Sequence, residues 1–192
     1  RLPLDVMLVA SANPEDYTNR GRIITPLKDR FGAQIRTHYP LDVETEMAIV
    51  EQEARPVSGE GLDVVVPPFM AEVVATFSQL ARQSSHINQR SGVSVRLTVA
   101  NAETLVANAA RRALRAGETE VVPRVTDLEA LVASTSGKVE LDTLDDDGGE
   151  VLDRLLRQAV LTVFRDRLDL GRLREVIDAF DDGRVVHAGE DV

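Results

Sequence analysis

A few polar side chains in this chain are of the types that handle phosphate. Asn13 stands just beyond the apolar run from Val6 to Ala10, with Pro14 after it. An amide there can donate a hydrogen bond without titrating near neutral pH. Arg20, Arg22 and Arg30 follow, and their guanidinium groups stay charged and fork onto anionic oxygens. Arg96 lies in the stretch Ser94 to Asn101, at the head of a segment with helical spacing, and Arg90 is close before it. Each has a plainer reading as well. An Asn before Pro holds a turn, Asp29 and Arg30 can pair on the surface, and many helices begin near an arginine.

Other chemistry fails on count or spacing. There is no cysteine, which excludes disulfides, thiolate catalysis and Cys-based zinc sites. His38, His86 and His187 are far apart and share no ligand spacing, so no metal site is expected. The acidic run from Asp142 to Glu150, DTLDDDGGE, lacks the ligand order of a calcium loop and reads as a solvated loop. Ser134 to Lys138 has a Gly-Lys pair without the upstream Gly or the following Ser or Thr. No G-x-x-x-x-G-K-S/T phosphate loop and no apolar strand ending in Asp-Glu occurs anywhere. Arg111, Arg112 and Arg115 fall on the polar side of a helix and read as a solvated face.

The elements that must carry these residues follow from periodicity. Val6 to Ala10 suits a buried strand of a parallel sheet, and the alternation from Ala33 to Tyr39 a half-buried strand. Asp42 is placed to cap a helix with Glu44 and Glu46 in its first turn and Met47, Ile49, Val50 and Ala54 on its apolar side. Pro56 and the segment Gly59 to Gly61 end it. Pro67 and Pro68 introduce a helix whose Met70, Val73, Val74, Phe77, Leu80 and Ala81 share a face. A further helix runs roughly from Val99 to Ala116, with Ala102, Leu105, Val106, Ala109, Ala110, Ala113 and Leu114 buried and Gly117 closing it. Thr126 or Asp127 caps a short helix carrying Leu128, Leu131 and Val132, and Ser134 to Lys138 reads as a turn. The cleanest stripe is Leu152, Leu155, Leu156, Ala159, Val160, Val163 and Phe164. Leu173, Val176, Ile177 and Phe180 suggest a last short helix ended by Gly183.

Composition bounds the rest. The 192 residues are 43% hydrophobic and 4% aromatic with no Trp, so the core must be built from Leu, Val and Ala, which favours helices. The net charge is −10, and residues 141–192 hold 14 Asp and Glu against 7 Arg. That sign disfavours nucleic acid and anionic membranes as partners. No run approaches the roughly 18 apolar residues of a membrane span. A cytoplasmic protein is expected.

Asn13-Pro14-Glu15, Asp29-Arg30-Phe31 and Tyr39-Pro40, in that order after an apolar run, resemble the second half of an AAA+ ATPase core. The similarity is closest to the small ATPase subunit of magnesium chelatase and its MoxR-type relatives, and it covers about residues 3–117. It implies an α/β fragment followed by a mainly α part. Residues 1–56 would be the C-terminal part of the AAA+ α/β core, 57–117 a helical lid, and 118–192 an acidic helical extension. Asn13 would be sensor 1, placing the attacking water at the γ-phosphate. Arg30 would be the arginine finger, acting in trans on a neighbour's nucleotide, and the longer segment before it leaves Arg20 or Arg22 able to share or take over that role. Arg96 would be sensor 2, contacting the same subunit's nucleotide.

For the full-length protein the resemblance implies ATP and Mg²⁺, a homo-oligomeric ring expected to be hexameric, and remodelling of a partner, often one with a von Willebrand factor A domain. Residue 1 is Arg and no phosphate loop is present, so the chain is expected to begin partway through its motor and to be inactive alone, with no cofactor bound. Porphyrin metallation does not follow. The rival expectation is a non-enzymatic helical adaptor of AAA+ ancestry.

Overall fold

The computed structural model describes residues 5–11, 29–57, 61–88, 92–140 and 148–168, with positions 171, 174 and 178. The chain divides into two compact units, residues 1–38 and 39–192. Among the described residues the protein is mainly helical, with five helices and a two-stranded parallel sheet fragment.

In the first unit the two strands expected from sequence are corrected. Residues 5–11 carry no regular structure, and Val6 to Val9 are all exposed, Met7 by 90%. Residues 33–38 likewise form no strand, and Ile35 is 89% exposed. The reason is partnership: a strand closes its backbone polar groups only against a neighbour, and no described segment stands in a ladder with either stretch. Asp29 and Arg30 are helical.

The second unit opens with helix α1, Val43–Glu53. Asp42 caps it as expected, accepting the Thr45 N–H at 2.7 Å, with Glu44 and Glu46 in the first turn. Its deepest residue is nevertheless Glu46, which is fully buried, whereas Met47, Ile49 and Val50 are half-buried. Ala54 closes the helix on the Val50 carbonyl at 2.8 Å, two residues before Pro56.

Next come strand β1, Asp63–Val64, helix α2, Pro68–Gln83, and helix α3, Val95–Ala116. Strand β2 is Glu120–Val121, and it pairs parallel with β1, Asp63 opposite Glu120 and Val64 opposite Val121. Helices α2 and α3 make the crossover that parallel pairing requires. Two-residue strands are too short to show a period, so neither was legible in the sequence. Helix α3 starts a turn earlier than expected, and Gly117 closes it in the left-handed region at φ 70°.

A 3₁₀ turn, Val125–Glu129, runs into helix α4, Ala130–Ser136, and helix α5 is Gly148–Arg167. The expected turn over Ser134 to Lys138 is thus largely the end of α4, and Gly148 to Glu150 of the expected acidic loop belong to α5. Most of the expected last helix, from Leu173 to Phe180, lies outside the described residues.

One hydrophobic cluster joins these helices. It contains Met70, Val73, Val74, Phe77 and Ala81 of α2, Leu97 and Leu105 of α3, Leu128 and Leu131, and Leu152, Leu156, Ala159 and Val163 of α5. Burying a side chain of this size contributes about 1.5–3 kcal/mol, so residues 57–117 and 118–168 are held together by one core. Leu114 and Phe164 are corrections to the expected stripes, at 63% and 41% exposed. Each lies near a helix end, where the apolar pattern outruns the core. A small cluster of Ala109, Ala110, Ala113 and Val121 seats the sheet fragment on α3.

Candidate functional site

Asn13, Arg20, Arg22 and Arg90 lie outside the described residues. Arg30 is exposed in the first unit, in the helical pair Asp29–Arg30. Arg96 belongs to the second unit, exposed in the first turn of α3 as the sequence places it. Both guanidinium groups therefore face solvent, as a phosphate-contacting or a merely solvating arginine would.

The same turn of α3 also points inward, at a polar centre that sequence reasoning missed. Arg82, in the last turn of α2, donates from Nη1 to Oε2 and from Nη2 to Oε1 of Glu46, each at 2.5 Å. The Thr98 hydroxyl donates to Glu46 Oε1 at 2.5 Å, and Arg82 Nε donates to the Val93 carbonyl at 2.8 Å. Glu46 is fully enclosed, while the Arg82 side chain is 11% exposed. The Tyr39 ring lies over the guanidinium, its centroid 5.1 Å from Cζ, a distance at which a cation is drawn to an aromatic face.

Gly92 makes room for this arrangement. Its φ is 68°, and a Cβ there would run into the Tyr39 hydroxyl. The sequence signal was Glu46 itself, a charge beside Met47 and Val50 of the helix side read as apolar. Its partners are 36 and 52 residues away, beyond any local pattern.

A second polar knot gathers around Asp127. Arg112 Nη2 donates to Asp127 Oδ2 at 3.0 Å and to the Val122 carbonyl at 2.7 Å, Asn108 donates to Oδ1 at 3.2 Å, and the Arg124 N–H donates to Oδ2 at 2.8 Å. By the last bond Asp127, third residue of the 3₁₀ turn, reaches back to the N–H of the residue that precedes it, while the Asp127 N–H donates to the Arg124 carbonyl at 2.8 Å. The expectation of a solvated face is corrected for Arg112, which is 25% exposed and ties the end of α3 to the following turn. Its hydrogen bond to Asp127, opposed by partial burial and aided by the charges of Asp127 and Glu118, raises the guanidinium pKa above its ordinary value. Arg111 and Arg115 are exposed, as expected.

These centres are saturated ion pairs. Every carboxylate oxygen of Glu46 and Asp127 accepts a charge-assisted bond from within the fold. Among the described residues no group of three or more His, Asp or Glu is arranged to hold a metal ion. Two open depressions, of about 390 and 420 Å³, involve Leu80, His86 and Arg154, and Glu118, Glu120 and Arg124, respectively. Neither contains Arg30 or Arg96. No helix among the described residues is long and apolar enough to cross a membrane.

The chain matches no protein-family model, and neither a curated protein nor a solved structure matches it.

Proposed function

We propose that this chain is the C-terminal half of a magnesium-chelatase-like or MoxR-like AAA+ ATPase, a cytoplasmic ring motor that uses ATP hydrolysis to remodel a partner protein. The ordered set Asn13-Pro14, Asp29-Arg30-Phe31, Tyr39-Pro40 and then Arg96 at a helix head carries the reading. Its support in three dimensions is the exposed position of Arg96 in the first turn of α3, on a helical unit of the size a lid and extension require.

In this reading Asn13 orients the attacking water, Arg30 reaches the nucleotide of the next subunit, and Arg96 contacts the nucleotide of its own. The guanidinium groups suit phosphate oxygens. Nothing in the sequence supplies a phosphate loop or an acidic strand for Mg²⁺, so those contacts belong to a part of the protein outside these residues. The partners are further copies in a ring and a substrate-recruiting protein such as one with a von Willebrand factor A domain.

The test is hydrolysis. This chain alone should release phosphate no faster than the buffer blank with ATP and Mg²⁺, because the missing elements supply most of the contacts to both. Turnover that survives further purification of the chain would overturn the reading.

The second reading is a non-enzymatic helical adaptor, in which the exposed Arg30 and Arg96 are solvated surface. A coding sequence upstream of Arg1 containing a phosphate loop and an Asp-Glu strand decides for the motor. Its absence decides for the adaptor.

A further inference from the structure

We infer that α1 is a latch: it opens from the helical unit as a separate element, and the Glu46 fork holds it shut. Three observations carry this. Neither hydrophobic cluster contains a residue of α1, although α2, α3 and α5 all contribute to the main one. The one buried residue of the helix is Glu46, a carboxylate. A further side-chain tie nearby is at the surface, where the Arg55 N–H donates to Glu103 Oε1 at 2.9 Å just past the helix end.

The energetics of such a closure differ from those of a core helix. Apolar burial grows with area, whereas the attraction within a buried ion pair is largely offset by the desolvation of both charges. Opening α1 returns Glu46 to water, and Arg82 already touches solvent. The open state therefore strands no buried charge.

The receiving side keeps a partner for Arg82 outside α1, since its Nε donates to the Val93 carbonyl at 2.8 Å. Element by element, protection against local opening scales with buried apolar contact, and α1 has the least of the longer helices. Because α1 leads the chain from residue 39 into the helical unit, and its acceptor oxygen meets Thr98 two residues from Arg96, release of the latch reaches the head of α3. The inference does not rest on the proposed ATPase.

Hydrogen exchange on the 192-residue chain tests it. Amides of residues 47–54 should exchange at least about tenfold faster than those at the centres of α2 and α5, through an opening of their own. Glu46→Gln should speed exchange in 47–54 by about tenfold or more and leave the centres of α2 and α5 unchanged. Leu156→Ala should do the reverse. The inference is overturned if residues 47–54 are as protected as α2, if Glu46→Gln leaves them unchanged, if that variant accelerates α2 and α5 equally or unfolds the chain, or if Leu156→Ala accelerates 47–54 in step with the core.

Discussion

Arg82 and Glu46 meet through two parallel hydrogen bonds of 2.5 Å, joining the last turn of α2 to the first turn of α1 across 36 residues of sequence. The fork geometry is specific to a guanidinium facing a carboxylate, so lysine at position 82 would lose both the second bond and the one to Val93.

The stability of this pair is expected to depend on whether its helix can leave. Losing one partner of a buried ion pair in a rigid core costs about 3–5 kcal/mol, because the other charge stays buried and unpaired. With α1 free to undock, Arg82→Met should cost less than about 3 kcal/mol, since opening lets Glu46 reach water and caps the penalty. The double variant Glu46→Leu with Arg82→Met should return close to the parent, as apolar pairs often do in place of buried ion pairs. Urea unfolding with unchanged slope checks both, and a double variant that adds the two single losses would deny the coupling.

The packing of α5 on α2 makes a contrasting prediction. Leu156 is buried in the main cluster, and Leu156→Ala should destabilise by about 2–5 kcal/mol, the range for truncating a core leucine. Phe164 lies two turns further on and outside that cluster, so Phe164→Ala should cost well under this, both losses being read by thermal unfolding. Equal losses would mean that the α5 stripe is buried along its whole length.

Asp42 gives the pH prediction. Hydrogen bonds from the Thr45 side chain and then its backbone N–H hold the Asp42 carboxyl below its ordinary value. A carboxylate depressed in the folded state adds stability that is present above the unfolded pKa, roughly 4, and is lost as pH falls through the folded value. Protection at the start of α1 should therefore weaken below about pH 4. Asp42→Asn keeps a good cap without the charge, so its protection should be nearly flat across that range. Exchange measured from pH 6 to 3, corrected for intrinsic rates, would refute the assignment if parent and variant weakened together.

How much of this was legible in the sequence depended on whether a residue's partner was local. Asp42 and Thr45 are three residues apart, and the N-cap could be read directly; so could the α2 and α5 stripes, whose 3.6-residue period states which face is buried. Val6 to Ala10 had the composition of a buried strand, but composition does not supply the neighbouring strand, and the stretch is exposed. Glu46 was read as a favourable first-turn charge, which it is, while its burial depends on Arg82 and Thr98 arriving from two other helices. Arg96 was placed at a helix head correctly, because Gly117 and the Ala-rich stripe define that helix from within.

Two glycines in the left-handed region offer a matched pair. Gly117→Ala places a Cβ in open space and should cost about 1–2 kcal/mol for the conformation alone. Gly92→Ala bears the same conformational cost and also drives a Cβ into the Tyr39 hydroxyl, displacing the ring from Arg82. Its loss should be larger, and a change in Tyr39 fluorescence should accompany it. A further Tyr39→Ala substitution should then recover part of the difference, and no recovery would place the strain elsewhere.

The proposed ring makes a prediction about who acts on whom. An arginine finger is worth about 10³–10⁵ in rate, or roughly 4–7 kcal/mol of barrier, so Arg30→Ala in the intact protein should abolish measurable hydrolysis while ATP binding to the isolated subunit survives. Arg96→Ala should also be slow, but for a different reason, since in the proposed function that side chain serves its own subunit's nucleotide. Mixing the two inactive variants separates these roles. At an interface where the Arg30→Ala subunit holds the nucleotide and the Arg96→Ala subunit stands next to it, both arginines are intact. A random equal mixture contains about a quarter of its interfaces in that arrangement, so hydrolysis should return to about that fraction of the parent rate. No recovery on mixing would remove the trans role from Arg30, and normal turnover by Arg30→Ala with loss in Arg20→Ala or Arg22→Ala would move the finger to one of those positions.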